Sequence, residues 1–475
     1  MTRTRWIGLI LILLSSGISI LWGCSMMKTA NGGGDFSAVY YGARCLLQHH
    51  NPYSVIESDG GCPAKGWECP EDSVQVCQTM TLYVNMPTTL IFLAPFATLQ
   101  WGHAYALWMA FTVGVFILAA FLMWNLAESY ARKVSLLLMC ILLANCEMVF
   151  GGGNTAGIAV CLCAVAVWCF LRNRFVTAGI LCLAISLAIK PHDVGLVWLY
   201  FLLTGAPYRK RALQTLLVTV VLGLAAALWV TSVAPHWMQD WHSNLSAISA
   251  RGGLNEPGQA SFSGRKASMV IDLQAAISVF SDDPRIYNPV SYLVCGALLL
   301  VWSVRTLRSQ FSQRKALLAL ASVLPFTLLV TYHRPWDAKL LMLAVPACAM
   351  LWAEAGLTRW LALLVTSAGV VFTADIPLTI FLILTNNLHL STAGLPGQLL
   401  TVVLMQPTPL ILLVMGIFYL WIYLRRDPAE AATAEHGEPG GNTACACAGL
   451  SPIQSGKGRS AGSFQAMRPF PTGRE

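Results

Sequence analysis

A chain of 475 residues that is 56% hydrophobic and only 11% charged, with mean hydropathy +0.62, is not a soluble domain, where about 25% of residues carry charge. The net charge of +8 does not point to nucleic acid, because Arg3, Arg5, Arg132, Lys133, Arg172, Arg174, Arg209, Lys210, Arg211, Arg305, Arg308, Arg314, Lys315, Arg359, Arg425 and Arg426 all sit in short segments between apolar runs. Those segments belong in the cytoplasm by the positive-inside rule, which puts both termini there and requires an even number of spans.

The apolar runs recur from Trp6 to Leu424, each about 17–25 residues and so long enough to cross a bilayer as a helix. They predict an all-α polytopic transmembrane bundle of about twelve spans, some broken or re-entrant, with extracytoplasmic loops over about 25–85 and 234–285. Residues 6–24 cross outward. They also read as a signal peptide, with Leu21-Trp22-Gly23-Cys24 in the place of a lipoprotein cleavage box, but Trp22 fits that box poorly and a retained anchor is expected.

Beyond this span lies Asp35-Phe36-Ser37-Ala38-Val39-Tyr40-Tyr41, running on to Asn51-Pro52-Tyr53. Phe36, Val39, Tyr40, Ala43, Leu46 and Leu47 make one apolar stripe at helical spacing, the pattern of a helix lying in the membrane surface. Gly32-Gly33-Gly34 precede it, so Asp35 falls where a flexible loop becomes a helix. It reads as an N-cap, as a carboxylate held at membrane level, or as both. Cys45, Cys62, Cys69 and Cys77 fall on the outer side, where disulfides are possible and the pairing stays open; no Cys-x-x-Cys pair supports zinc. The cysteines inside spans are small packing residues.

Tyr83-Val-Asn-Met-Pro-Thr-Thr89 begins a return segment that Ala94-Pro95 interrupts before a span at about 104–126. Residues 134–150 go out, Gly151-Gly-Gly-Asn154 turns, and 155–171 come back. The runs 176–189 and 194–204 are both short, and Lys190-Pro191-His192-Asp193 lies between them. This is an ordinary charged turn or a functional corner; three ionisable groups beside a proline are costly in hydrocarbon, which favours function at the outer surface or in a wet cavity. Residues 212–233 lead to the second outer loop, with His236, Asp240, His242, Arg251, Arg265 and Lys266, and a Gly- and Pro-containing portion suited to a lid. Spans at about 287–304 and 316–331 end at Thr331-Tyr332-His333-Arg334-Pro335-Trp336-Asp337. Spans at about 338–353, 359–384, broken by Pro377, and 399–424 complete the membrane domain, residues 1–426. Residues 427–475 read as a disordered cytoplasmic tail.

Three polar clusters thus share one side: Asp35, Lys190 with His192, and His333 with Arg334 and Asp337. A carboxylate opposite cations is what transfer from a phosphorylated lipid needs, the carboxylate as general base and the cations on the departing phosphate. No Walker, dinucleotide, zinc-protease or serine-hydrolase motif is present, and the cytoplasmic loops are too short to form a nucleotide-sugar domain.

At these residues the sequence resembles glycosyltransferase family 87, the polyprenyl-phosphate-sugar-dependent mannosyltransferases and their relatives of the GT-C superfamily. The resemblance rests on Asp35-Phe-Ser-Ala-Val-Tyr-Tyr-Gly-Ala with Asn51-Pro-Tyr53, Tyr83-Val-Asn-Met-Pro87, Gly153-Asn154, Ala178-Gly179 followed by Ile189-Lys190-Pro191, and His333…Asp337. It implies a GT-C-like membrane enzyme with Asp35 as catalytic base and Lys190 and His333 as donor-phosphate ligands, to which the one-sided grouping of charge adds His192 and Arg334. Tyr40, Tyr41, Asn51, Tyr53, Asn154 and Asp337 are then the substrate-binding candidates. The implied partners are a polyprenyl-phosphate hexose, most readily mannose, a lipid or glycan hydroxyl, and membrane lipids, with no nucleic acid. No cofactor is implied, nor a metal, because Asp35 has no carboxylate partner at ligand spacing. The chain departs from the family pattern in Gly151-Gly-Gly-Asn154, in Asn85-Met86 and in the Cys-rich insertion 57–78. The rival reading is a transporter or flippase for a lipid-linked or anionic solute, which needs a site near the bilayer midplane open to both sides; a third is an inactive assembly partner, for which Asp35 is dispensable.

Overall fold

The computed structural model describes residues 3–29, 34–53, 83–259, 270–354, 356–385 and 394–425. The insertion 57–78 with Cys62, Cys69 and Cys77, the Ser261–Ser263 stretch with Arg265 and Lys266, and the tail from 426 lie outside the described residues. The described residues hold helices and no strand.

In chain order the helices are α1 (Arg3–Thr29), α2 (Gly34–Leu47), α3 (Pro87–Ala97), α4 (Trp101–Leu143), α5 (Glu147–Gly152), α6 (Thr155–Leu171), α7 (Val176–Ile189) and α8 (Pro191–Leu203). They continue as α9 (Tyr208–Val233), α10 (Trp237–Ser249), α11 (Leu273–Ser278), α12 (Pro284–Arg308) and α13 (Gln313–Val330). A 3-10 segment (Asp337–Ala344) then runs into α14 (Val345–Ala353), followed by α15 (Leu357–Phe372), α16 (Asp375–Thr385), α17 (Gly394–Met405) and α18 (Pro407–Leu424). Among the described residues, six helical stretches are long and apolar enough to cross a membrane, seven if the bent pair α15–α16 counts as one span. The protein is an integral membrane protein. α3, α6, α7 and α17 are apolar but shorter.

Local chemistry places the breaks. At about 1.5 Å per residue the 43 residues of α4 would extend to roughly twice the ~30 Å hydrocarbon core. Its backbone leaves helical geometry at Ala131 (φ −146°, ψ 80°), next to Arg132 and Lys133 and between the two runs read from the sequence. The α15–α16 pair bends by 73° at Thr373-Ala374, ahead of Pro377. Pro377 sits instead in the first turn of α16, where its missing N–H leaves no bond unmade. The run expected as one span over 399–424 is two helices, because Pro407 can start α18 but cannot continue α17.

α13 lies at the centre, buried from Lys315 through Leu329, with α8, α12, α14, α18 and the 3-10 segment against it. Close helix approach rests on missing side chains: a Cβ on Gly416 would meet the Phe326 ring at 2.6 Å and one on Gly157 would meet Val149 at 2.5 Å. α2 packs on α3 through a separate aromatic core of Phe36, Tyr40, Tyr41, Tyr53, Tyr83 and Trp108.

The two ends of the bundle differ in charge chemistry. At one, Arg5 pairs with Glu128 at 2.5 Å, Arg172 reaches Asn125 O at 2.9 Å, Arg211 reaches Phe170 O at 3.2 Å and Arg314 pairs with Glu354 at 3.0 Å. At the other, where α1 ends, Gly23 lies against Gly151, and there α2, the α5–α6 turn, the α7–α8 corner and the segment after α13 converge.

Candidate functional site

The convergence begins with one glycine. Gly153 ends α5 in the left-handed region (φ +66°), which costs glycine nothing and other residues strain. A Cβ there would come within 2.7 Å of Phe36 Cβ. Trp108 Nε1 donates to Gly153 O at 2.9 Å, and the chain then enters α6 through Asn154. Asn154 Oδ1 accepts from Ala156 N–H at 2.8 Å, a standard N-cap. That leaves its Nδ2 to donate to Asp35 Oδ2, also at 2.8 Å. Asp35 lies in the first turn of α2, where the helix dipole favours a carboxylate.

The second component is the corner between α7 and α8. Lys190 breaks the helix (φ −142°, ψ 81°) and Pro191 restarts it at N1. The Lys190 side chain is only 14% exposed, and its Nζ bonds Asp337 Oδ1 at 2.7 Å and lies 3.7 Å from Asp193 Oδ2. Asp337 Oδ2 in turn accepts from Arg334 N–H at 2.8 Å, so one carboxylate fixes both the lysine and the turn that carries Arg334. The Arg334 guanidinium reaches Leu254 O at 3.0 Å, bonds Tyr332 Oη and lies 5.2 Å from the centre of the Trp336 ring.

Behind the lysine, Asp193 Oδ1 faces His192 Nε2 and His333 Nε2, each at 3.3 Å. His333 Nδ1 donates to Thr331 O at 2.8 Å, and His333 O accepts from Ile271 N–H. His333 and Asp193 are fully buried, while the His192 side chain is 44% exposed. Among the described residues, His192, Asp193 and His333 form a group that could hold a metal ion, their ligand atoms all within 4.8 Å of one another.

The electrostatics follow from crowding and pairing. Asp35 keeps an exposed face, but the protein packed around it raises its carboxyl above the usual 3.8; the Asn154 bond and the charges of Arg334 and Lys190 pull it back, and Asp337 pushes it up. For Lys190, burial favours the neutral form, and Asp193 with Asp337 outweighs it, holding the ammonium charged. His192 is pushed down to about 4 by desolvation. For His333, desolvation is outweighed by Asp193, and its pKa is raised.

Of the residues singled out in the sequence, Asp35, Asn154, Lys190, His192, His333, Arg334 and Asp337 meet here. Tyr40, Tyr41, Asn51 and Tyr53 stand in the wall beneath α2. Tyr40 Oη donates to Leu99 O at 2.7 Å, Tyr41 stacks on Trp101, and Tyr53 Oη donates to Asn85 O. Asn51 bonds Asp240 at 2.7 Å and the Tyr53 N–H at 2.9 Å. Cys45 is a buried free thiol in the same wall.

Sequence reasoning counted Asp193 only as part of a charged corner. It missed a second buried group altogether: Lys339 pairs with Asp375 at 3.2 Å and donates to Asn145 O at 2.5 Å and Thr373 O at 3.1 Å, with buried Glu147 nearby. The available signal was an ionisable residue inside an apolar run, at Lys339 and again at Glu147.

The arrangement offers an accessible carboxylate, cations held by buried carboxylates, and a position at helix ends. Such a set can take a proton from a hydroxyl and stabilise a departing anion. The family model described as Glycosyltransferase family 87 matches residues 83–332, just over half of the chain. The matched segment contains Asn154, Lys190, His192 and Asp193. No curated protein and no solved structure matches the chain.

Proposed function

We infer that this chain, a membrane glycosyltransferase because it belongs to glycosyltransferase family 87, moves a hexose from a polyprenyl-phosphate donor to a hydroxyl of a lipid or glycan acceptor, with inversion. Mannose is the sugar we assign, by the resemblance of the motifs around Asp35, Asn154, Lys190 and His333. The basic ends of the helices face the cytoplasm in this reading, by the positive-inside rule. The site then opens on the extracytoplasmic face of the plasma membrane, and both termini are cytoplasmic.

The observation that carries the proposal is Asp35, an accessible carboxylate clamped by Asn154 and close enough to Lys190 and Arg334 to feel their charges. Asp35 takes the proton of the acceptor hydroxyl, and its raised basicity suits that task. The freed oxygen attacks the anomeric carbon from the face opposite the lipid phosphate. The C–O bond to the phosphate breaks, and its electron pair leaves on the phosphate oxygen, where Lys190, Arg334 and His192 meet the developing charge. His333, fully buried, acts through Asp193, while Asn154 and Asp337 orient Asp35 and Lys190. Tyr40, Tyr41, Asn51 and Tyr53 shape the wall that receives the acceptor. A position at helix ends supports the enzyme over a transporter, whose site belongs at helix midpoints.

The test is transfer of radiolabelled mannose from polyprenyl-phosphate-mannose into lipid extract by membranes holding wild type or Asp35→Asn at matched expression. Asparagine keeps the size of the side chain but cannot accept the proton. Transfer by wild type alone is expected; equal transfer by both removes Asp35 from the mechanism, and none by wild type removes this donor.

A further inference from the structure

Two imidazoles and a carboxylate meet at the α7–α8 corner in a way that hydrogen bonding leaves incomplete. His333 Nε2 and both Asp193 oxygens are buried and make no hydrogen bond among the described residues. His333 donates through Nδ1 to a carbonyl, so in its neutral form the lone pair of Nε2 points at a carboxylate oxygen. His192 Nε2 lies 3.3 Å from the same oxygen, with the two ring centres 5.3 Å apart.

We propose that His192 Nε2, His333 Nε2 and Asp193 Oδ1 bind a divalent transition metal, zinc by the chemistry of the donor set, with a fourth position open. Two ligand atoms about 2.0–2.2 Å from a tetrahedral zinc stand about 3.3 Å apart, which is the separation of Asp193 Oδ1 from each imidazole nitrogen. Two histidines with one carboxylate and an open position is a recurrent catalytic zinc set. The supporting contacts have the expected form: His333 Nδ1–H is held by Thr331 O, which fixes the ring and turns Nε2 to the metal. Lys190 lies by the other oxygen of Asp193, and its charge is met by Asp337 at 2.7 Å, so Oδ1 is left to the metal.

The site stands on geometry alone; its role toward the donor rests on the function proposed above. Lys190 has two carboxylates beside it, which offset part of the charge it brings to a lipid phosphate. A dication with an open position, reachable past the half-exposed His192, adds to the charge that Lys190 and Arg334 supply.

The test uses the full chain purified in detergent, stripped with a chelator and titrated with zinc in competition with a chromophoric chelator. About one zinc per chain is expected in wild type. His192→Ala removes a partly exposed ligand with little demand on folding, and it should weaken binding by at least about 10–100-fold; Asp193→Asn should do the same, with elution profile and thermal transition confirming that both variants fold. Wild type that takes up no stoichiometric zinc, or binding unchanged in His192→Ala, overturns the site. Mannosyl transfer measured on the same stripped and zinc-loaded samples separates the two claims: zinc bound without transfer keeps the site and removes the donor reading, and transfer without zinc binding does the reverse.

Discussion

The 3-10 segment carries two buried salt bridges two residues apart, and they teach opposite lessons. Asp337 pairs with Lys190 and Lys339 pairs with Asp375. Around Lys339 every polar group is turned inward. Its ammonium serves the carbonyls of Asn145 and Thr373, at the break after α4 and at the α15–α16 bend, while Asp375 Oδ2 accepts from Met148 N–H at 2.8 Å and Asn145 Oδ1 from Ile376 N–H at 3.2 Å. These charges satisfy backbone groups that broken helices leave without partners. Around Lys190 the ring is open: Asp35 is exposed, His192 is half-exposed, and Lys190 retains 14% of its side-chain surface. A charge inside a membrane bundle is therefore not a site by virtue of being there. What it faces decides.

The comparison is broken most directly at Asp35. Asp35→Asn should lower mannosyl transfer by about 10²–10⁴-fold, the range of a general base. Because the folded protein raises the Asp35 carboxyl above its unfolded value, ionised Asp35 costs stability at pH above that unfolded value, and the cost disappears as the group is protonated. The asparagine variant should accordingly be no less stable than wild type at neutral pH, and thermal unfolding in detergent checks this.

The next effect separates the two pairs. Lys339→Met leaves Asp375 buried and unpaired and should cost about 3–5 kcal/mol, with Lys339→Met/Asp375→Leu recovering part of it. Lys190→Met/Asp337→Leu can recover stability in the same way, but transfer should stay lost, since the ammonium that meets the phosphate is gone. Recovery of transfer in that double variant would make the two pairs equivalent and end the distinction.

A milder effect is expected from pH. With Asp35 as base, transfer should rise with pH through a carboxylate transition above 3.8 and then level, and the transition should vanish from the residual rate of Asp35→Asn. The smallest effect is expected at the turn that aims Asn154. Gly153→Ala imposes a left-handed backbone and crowds Phe36, which should cost about 1–3 kcal/mol and lower transfer modestly, without abolishing it as Asp35→Asn does.

Much of the site was legible in the chain. Lys190 and His192 stood out because ionisable groups beside a proline interrupt two short apolar runs, and Asp35 because an amphipathic stripe begins there after glycines. What local pattern could not show was which groups would meet: Asp35 and Asn154 are 119 residues apart and Lys190 and Asp337 147. Tyr40, Tyr41 and Tyr53, read from motif as substrate ligands, are packed into an aromatic wall whose partners Trp101 and Trp237 come from other helices. The break at Thr373-Ala374 fell ahead of Pro377, where it was expected, and the one at Gln406 fell inside a run expected as a single span, because proline marks where a helix can start as well as where it must stop.

The sequence by itself determined the membrane class and the positions of most helices, because hydropathy, helical period and proline act within a turn or two of each residue. Only the tertiary structure decided that Asp193 stands between two histidines, that Lys339 is closed in while Lys190 is open, and that Asn154 caps a helix with one end of its amide and holds Asp35 with the other. Buried polar groups must be satisfied by whatever packing brings to them, and in a bundle of this length those partners come from far along the chain.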